Sequence, residues 1–275
     1  KYIEHIKEVN FQGSYYKRTV QFDNKKKITA RLAKVLGCGA DELIITRNTT
    51  ESLYMVIGGL NWNKGDEAIM AYQDYGAMLD MFEQVQDKYG VVRVMVSVPN
   101  HPKNDEEIVQ LYEQAITAKT KVILVSHMIN ISGQILPIKK IGAMAHAKGV
   151  QLIVDGAHAF AHIQYDIDDL NCDYYAASLH KWLSTPLGAG LLYVRKDNIA
   201  KVWPLLADGE KDKNKINRQI TCQSENFEGY LGNNLLTIFD DITDEKTKKG
   251  TSIAIALIPY YFSNGQLTKI IAFNV

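Results

Sequence analysis

The stretch QLIVDGAHAFAHIQYDIDDLNCDYYAASLHKWLSTPLGAGLLYV, residues 151–194, carries the clearest information about the fold. It contains three short apolar runs, at Gln151–Asp155, Tyr174–Ser178 and Gly190–Val194. Short apolar runs rich in β-branched and aromatic residues predict buried strands when polar or turn-forming residues separate them. The first two runs end in a polar residue. The stretch therefore predicts strands whose ends carry chemically active side chains.

The same pattern continues towards the N terminus. Residues 1–42 are predicted to be mostly helical, and strands are predicted to alternate with helices after them. This alternation predicts an α/β fold with a largely parallel central sheet flanked by helices on both faces. Ligands in such sheets bind at the carboxyl ends of the strands. The further predicted strands are Leu43–Thr46, Glu67–Ala71, Val91–Val96 and Val122–Ser126, and the predicted helices include Ile28–Leu36, Met78–Tyr89, Glu106–Ala118 and Ile138–Lys148.

The composition limits the classes of partner. Lysine and arginine together number 31, and so do aspartate and glutamate, so net charge gives no reason to expect nucleic acid or a membrane surface. The three cysteines, Cys38, Cys172 and Cys222, show neither a metal-binding nor a disulfide spacing. No apolar run is long enough to cross a bilayer. We expect a cytoplasmic protein without a bound metal, although the chain begins at Lys1 and an N-terminal segment can precede it.

Two strand ends carry groups suited to chemistry on a carbonyl cofactor. Lys181, in SLHKW (178–182), follows a predicted strand and can form an imine with an aldehyde. Asp155 ends another strand, where a carboxylate can pair with a protonated pyridine nitrogen. Each residue also has an ordinary interpretation, as a solvated lysine or as an aspartate that caps a turn.

Three further segments follow strands. In the first, Thr49 and Thr50 begin a helix, whose N–H groups and dipole suit a phosphate, although an N-cap is common at such a position. The aromatic ring of Tyr75 could stack on a flat ligand or simply pack. Asn130 could reach a ring hydroxyl or serve only in a turn.

Taken together and in order, these segments resemble the class V aminotransferase family of pyridoxal phosphate (PLP) enzymes. The amino-acid motifs are most similar to those of the branch of isopenicillin N epimerase-like and cysteine desulfurase-like proteins. The resemblance covers roughly residues 25–206. It is carried by TRNTTESL (46–53), DYGAML (74–79), SHMINISGQILPI (126–138), VDGAHA (154–159), SLHKWL (178–183) and PLGAGLLYV (186–194).

The resemblance implies a fold type I PLP-dependent transferase-like architecture and a role for each matching residue. Lys181 would form the Schiff base with PLP, and Asp155 would pair with the pyridine nitrogen. His158, where desulfurases usually have glutamine, would lie against the ring or its hydroxyl. The remaining roles are phosphate binding for Thr49, Thr50, Ser178 and His180, ring stacking for Tyr75, and a place near the ring hydroxyl for Asn130.

The resemblance also implies a PLP-binding large domain at 1–206, an abbreviated small domain at 207–275 and a homodimer. The substrate would be an amino acid. Beyond Lys181 the only arginines are Arg195 and Arg218, and neither matches a motif for a substrate carboxylate. The reaction would be that of an aminotransferase or epimerase. The alternatives are a cysteine desulfurase or C–S lyase, with Cys222 as the one candidate nucleophile, and a PLP-binding protein without turnover.

Overall fold

A seven-stranded sheet forms the centre of the computed structural model, which describes residues 2–205 and 213–216, and the backbone of 253–254 and 273–274. The strand order is β1-β7-β6-β5-β4-β2-β3. The strands are β1 (Leu43–Thr46), β2 (Glu67–Ala71), β3 (Val92–Val96), β4 (Thr120–Ser126), β5 (Gln151–Asp155), β6 (Tyr174–Ser178) and β7 (Gly190–Val194).

Helices precede the sheet and connect its strands. They are α1 (Tyr2–Phe11), α2 (Gly13–Tyr15), a π-helical turn (Tyr16–Val20), α3 (Gln21–Leu36), α4 (Thr49–Gly59), α5 (Gly76–Tyr89), α6 (Asp105–Ala115), α7 (Ile138–Ala147), α8 (Ile167–Leu170) and α9 (Leu179–Trp182), with 3-10 turns at Ala40–Glu42 and Lys196–Lys201.

The sheet is parallel except for β7. The neighbours β3, β2, β4, β5 and β6 pair in parallel, whereas β7 pairs antiparallel with both β6 and β1. Strand β1 therefore runs in the same direction as β6, and the carboxyl ends of six strands lie at one edge. This arrangement confirms the predicted α/β fold with a mostly parallel sheet between helices.

Apolar side chains alternate between the two faces of the sheet. In β5, Leu152 and Val154 pack in the cluster that includes residues of α3, α6 and α7, and Ile153 packs in the cluster of α4 and α5. All three are fully buried, and burying such a side chain contributes about 1.5–3 kcal/mol. The loops at the carboxyl edge are thus held by a core on both sides.

One predicted helix is too long. The prediction Glu106–Ala118 extends beyond the observed end of α6 at Ala115. Ile116 has extended backbone, and the N–H of Thr117 donates to Oγ1 of Thr120 at 2.9 Å, which forms a turn into β4. The N–H of Thr117 thus bonds to a side chain in place of a helical carbonyl. Threonine side chains commonly compete with helical hydrogen bonds in this way.

The C-terminal predictions fall mostly outside the described residues. Two short strands, β8 (Ile253–Ala254) and β9 (Phe273–Asn274), pair antiparallel. Nearly all of the small domain expected at 207–275 lies outside the described residues. In the part of the chain that the structure describes, no helix is long and apolar enough to span a membrane.

Candidate active site

A cavity of about 220 Å³ opens at the carboxyl edge of the sheet. The loops after β1, β2, β4, β5 and β6 contribute its walls. All nine site residues expected from the sequence line it, and they are joined there by four others. The lining residues are Asn48, Thr49, Thr50, Tyr75, Ser126, Met128, Asn130, Asp155, Ala157, His158, Ser178, His180 and Lys181.

Lys181 reaches the cavity from the short helix that follows β6. Its Nζ lies 2.9 Å from Nε2 of His158 and 6.0 Å from the centroid of the Tyr75 ring. Partial burial lowers the pKa of the Lys181 ammonium, and the negative charge of Asp155 opposes that shift. The neutral amine is the nucleophilic form, so this environment favours reaction with an aldehyde.

Asp155 lies at the end of β5 and is only 6% exposed. Its Oδ1 accepts a hydrogen bond from the N–H of Ala157 at 2.9 Å. Burial raises the pKa of the Asp155 carboxyl, whereas the Ala157 bond and the charge of Lys181 lower it. A buried carboxylate of this kind gains stability from a cationic partner such as a protonated ring nitrogen.

Hydroxyl groups from two distant segments meet at another wall. Oγ of Ser178, at the end of β6, lies 2.8 Å from Oγ1 of Thr49 and accepts from the N–H of Thr49 at 2.9 Å. Asn48 caps α4, with its side-chain oxygen accepting from the N–H of Glu51 at 2.8 Å. The N terminus of an eleven-residue helix therefore faces the cavity beside two hydroxyls, which suits an anion.

A glycine permits the close approach of these segments. A Cβ on Gly190 would lie 2.7 Å from both Cα and N of Asn48. Oγ of Ser52 lies within hydrogen-bonding distance of two carbonyl oxygens, that of Asn48 at 2.9 Å and that of Leu191 at 3.2 Å, and its hydroxyl can donate to either. These contacts fix the start of α4 against the start of β7.

The other expected residues complete the rim. Nδ1 of His180 donates to the carbonyl of Ala189 at 3.3 Å. Tyr75 precedes the first turn of α5 and is 47% exposed, and Asn130 is exposed in the loop after β4. Thr50 occupies the first turn of α4.

The family model for aminotransferase class V matches residues 7–229, which is most of the chain. The chain belongs to the class V aminotransferase family. It is 31% identical over 173 residues to a probable cysteine desulfurase of Halalkalibacterium halodurans, which covers 62% of this chain and 42% of that protein. It is 29% identical over 173 residues to isopenicillin N epimerase of Streptomyces clavuligerus, covering 63% and 44%.

A solved structure of a C-DES mutant with glycine covalently linked to its PLP cofactor has the same fold. Its TM-score is 0.76 at 20% identity, and the match covers 91% of this chain and 69% of that one. This chain spans about half the length of the curated relatives that it matches.

Sequence reasoning missed several residues of this class V site. Asn48, Ser126, Met128 and Ala157 line the cavity without having been singled out. Asp74 holds the cavity residue Ser126 in place, because its Oδ1 accepts hydrogen bonds from the N–H and from Oγ of Ser126, at 2.9 and 2.7 Å. Ser126 could have been found, since it ends a predicted strand as Asp155 and Ser178 do.

The arginines and cysteines discussed from the sequence lie elsewhere. Arg195 follows β7 at the opposite edge of the sheet, where its Nη2 donates to Oδ1 of Asn171 at 2.8 Å. Arg218 and Cys222 lie outside the described residues. Cys172 is buried in the core, and burial together with nearby acidic side chains raises the pKa of the Cys38 thiol to about 12. Neither thiol lines the cavity of this family member.

Proposed function

We propose that this chain is a PLP-dependent enzyme that transforms an amino acid, in the manner of an aminotransferase or an epimerase. The family match indicates PLP as the cofactor. The observation that carries the proposal is that Lys181, Asp155 and the Thr49–Ser178 hydroxyl pair line one cavity. A PLP-sized ligand needs an amine for its aldehyde, an acid for its ring nitrogen and donors for its phosphate.

The chemistry of the cavity fits this cofactor. The helix start at Thr49 and the hydroxyl of Ser178 would hold the phosphate, with Thr50 and His180 beside them. Asp155 is the buried carboxylate and would hold the ring nitrogen in its charged form. Tyr75 would cover one side of the ring, and Asn130 would approach its hydroxyl.

When bound, the cofactor supplies an electron sink that stabilises negative charge at the substrate Cα. Lys181 would attach the cofactor and, once displaced by the substrate amine, would take the Cα proton at its Nζ. Partial burial lowers the pKa of Lys181, which favours the neutral base. His158 lies 2.9 Å from that nitrogen and orients it.

A cysteine desulfurase or C–S lyase is a second candidate, because a probable desulfurase is among the relatives. A desulfurase needs a reactive thiolate, and a thiol with a pKa near 12 such as that of Cys38 remains protonated at neutral pH. Among the cysteines of the given sequence, Cys222 is the candidate nucleophile for a desulfurase. A third candidate is a protein that binds PLP without turnover.

The partners follow from the same proposal. We propose an amino acid as the small-molecule substrate and a homodimer as the assembly, in the cytoplasm. These proposals concern the whole protein. The curated relatives are about twice as long as the stretch of them that this chain matches.

Lysine replacement tests the covalent attachment. We expect wild-type protein incubated with PLP and then with borohydride to carry the reduced adduct on Lys181, by peptide mass spectrometry. Lys181→Ala should lose the adduct because no other amine lines the cavity among the described residues. Lys139→Ala, which removes an exposed lysine on α7, is the matched control and should keep it. An adduct that persists in Lys181→Ala contradicts the proposal.

Product analysis separates the candidates. Loss of optical activity of an amino acid without keto-acid formation indicates an epimerase, and keto-acid formation indicates an aminotransferase. Sulfide release from cysteine, abolished by Cys222→Ala, indicates a desulfurase. An absorbance band that no amino acid in the panel shifts indicates binding without turnover.

A further inference from the structure

The side chains of Trp182, His158 and His162 contact one another beside Lys181, through one hydrogen bond and one pair of stacked rings. Nε1 of Trp182 donates to Nδ1 of His158 at 3.3 Å, and Nε2 of the same imidazole lies 2.9 Å from Nζ of Lys181. The indole ring stacks on His162, with ring centroids 3.7 Å apart and an interplanar angle of 18°. His158 therefore bridges a donor-only indole and the lysine amine.

The tautomer of His158 follows from donor chemistry. An indole N–H can only donate, so Nδ1 of His158 must be the unprotonated acceptor. A neutral imidazole with a bare Nδ1 carries its proton on Nε2. Burial lowers the pKa of His158 to about 4, and the proximity of Lys181 and His162 lowers it further, so the ring is neutral at neutral pH.

The indole is itself held in place. Nδ1 of His162 donates to the backbone carbonyl of His158 at 3.0 Å, which fixes the His162 ring one turn further along the chain. His162 is only 6% exposed, and its ring lies flat against Trp182. Because this stacking orients the indole, the N–H of Trp182 points at His158 before any ligand binds.

We infer that Trp182 is a positioning residue, which fixes His158 in its Nε2–H form so that His158 donates to Lys181 and favours the neutral amine. The opposite tautomer would turn two N–H groups towards each other at the Trp182 contact. It would also let His158 accept from a Lys181 ammonium. The inference deepens the proposed function and rests on it for the role of Lys181.

The other groups that face Nζ of Lys181 oppose or assist this effect. The Asp155 carboxylate and the Tyr75 ring, 6.0 Å away, favour the ammonium. Partial burial favours the neutral amine. The Nε2–H of His158, 2.9 Å from Nζ of Lys181, therefore acts on the amine through a directed hydrogen bond, unlike burial and the nearby charge and ring.

The test compares Trp182→Phe with wild type in the full chain, without added cofactor. Phenylalanine keeps an aromatic ring for His162 and removes the N–H together with the five-membered ring of the indole. Nitrogen-15 NMR of labelled histidines reports the His158 tautomer. Reductive methylation with formaldehyde and cyanoborohydride, followed by peptide mass spectrometry across pH, reports how readily Lys181 reacts, with Lys139 as the internal reference.

We expect wild-type His158 to be the Nε2–H tautomer and Trp182→Phe to be a mixture. Below its pH midpoint, Lys181 in the variant should methylate roughly three- to tenfold more slowly, the factor that corresponds to one lost neutral hydrogen bond. Trp203→Phe is the matched control, because it removes an indole N–H that donates to Asn61 at 2.8 Å, outside the cavity. It should leave both readouts unchanged.

Three results would overturn the inference: an Nδ1–H tautomer in wild type, an unchanged tautomer in Trp182→Phe, or a changed tautomer with unchanged Lys181 reactivity. If Trp182→Phe does not fold, the wild-type tautomer decides, with Nε2–H in support and Nδ1–H against. Wild-type protein that forms no PLP adduct on Lys181, yet gives the expected tautomer and methylation results, defeats the proposed function and leaves the inference about His158 standing.

Discussion

At the scale of single residues, Asp74 supports the site without lining it. The carboxylate is buried and accepts three hydrogen bonds, two from Ser126 and one from the N–H of Ala71 at 2.8 Å. It therefore joins the end of β2 to the end of β4 beneath the cavity. Burial raises the pKa of Asp74 to about 6, against hydrogen bonds that lower it, and the nearby Asp155 adds to the rise.

We expect Asp74→Ala to lower the free energy of unfolding at pH 7 by about 2–4 kcal/mol, because three buried donors lose their acceptor. The measurement is urea denaturation followed by circular dichroism. Asp80→Ala, which removes an exposed carboxylate on α5, is the control and should change the value by less than about 0.5 kcal/mol. Equal losses of unfolding free energy in the two variants would show that the hydrogen bonds of Asp74 do not stabilise the fold.

The same variant tests the titration of Asp74. Because the pKa of Asp74 is about 6 in the folded state and 3.8 in the unfolded chain, the folded state binds more protons between about pH 4 and pH 6. Its contribution to stability therefore falls as pH rises through that window and is constant above it. The pH profile of Asp74→Ala, subtracted from that of wild type, should show this slope. A flat difference would contradict the raised pKa.

At the scale of elements, the position of α4 depends on its contact with β7. Gly190 begins β7 directly against Asn48, the residue that caps α4. We expect Gly190→Ala to weaken PLP binding at least tenfold, because the new Cβ pushes the helix start away from Ser178. Fluorescence titration with PLP measures the affinity.

A glycine within α4 itself provides the control. A Cβ on Gly58 would come no closer than 4.0 Å to its nearest neighbour, on Tyr54. Gly58→Ala should therefore keep the wild-type PLP affinity and stabilise the protein by about 0.5–1 kcal/mol through helix propensity. Equal PLP affinity in both alanine variants would mean that the approach of β7 to α4 does not matter for binding.

At the scale of the whole molecule, the cavity unites the ends of strands that are distant along the chain. A ligand that binds only this assembled edge must stabilise the entire sheet. We expect PLP at 100 times its dissociation constant to raise the free energy of unfolding by about 2.7 kcal/mol. Thermal unfolding monitors the effect. Pyridoxine, which lacks both the phosphate and the aldehyde, should shift the midpoint much less, and equal shifts would argue against a PLP site.

The sequence by itself determined the elements and the edge at which the site forms. Apolar runs of strand length fix each strand locally, so all seven strands of the sheet were predicted within two residues of their observed bounds. Polar residues directly after those runs must lie at the carboxyl edge when the strands are parallel. For this reason the lysine at 181 and the aspartate at 155 could be named before the fold was known.

Only the tertiary structure decided which side chains bond to each other. The contact of Thr49 with Ser178 joins residues 129 positions apart, and no local pattern encodes such a pairing. The bonds from Ser126 to Asp74 and from Trp182 to His158 also depend on the order of the strands and the direction of their loops. Local sequence sets backbone conformation over a few residues, whereas these contacts arise from packing the whole sheet, and that packing makes the tautomer of His158 a property of the fold.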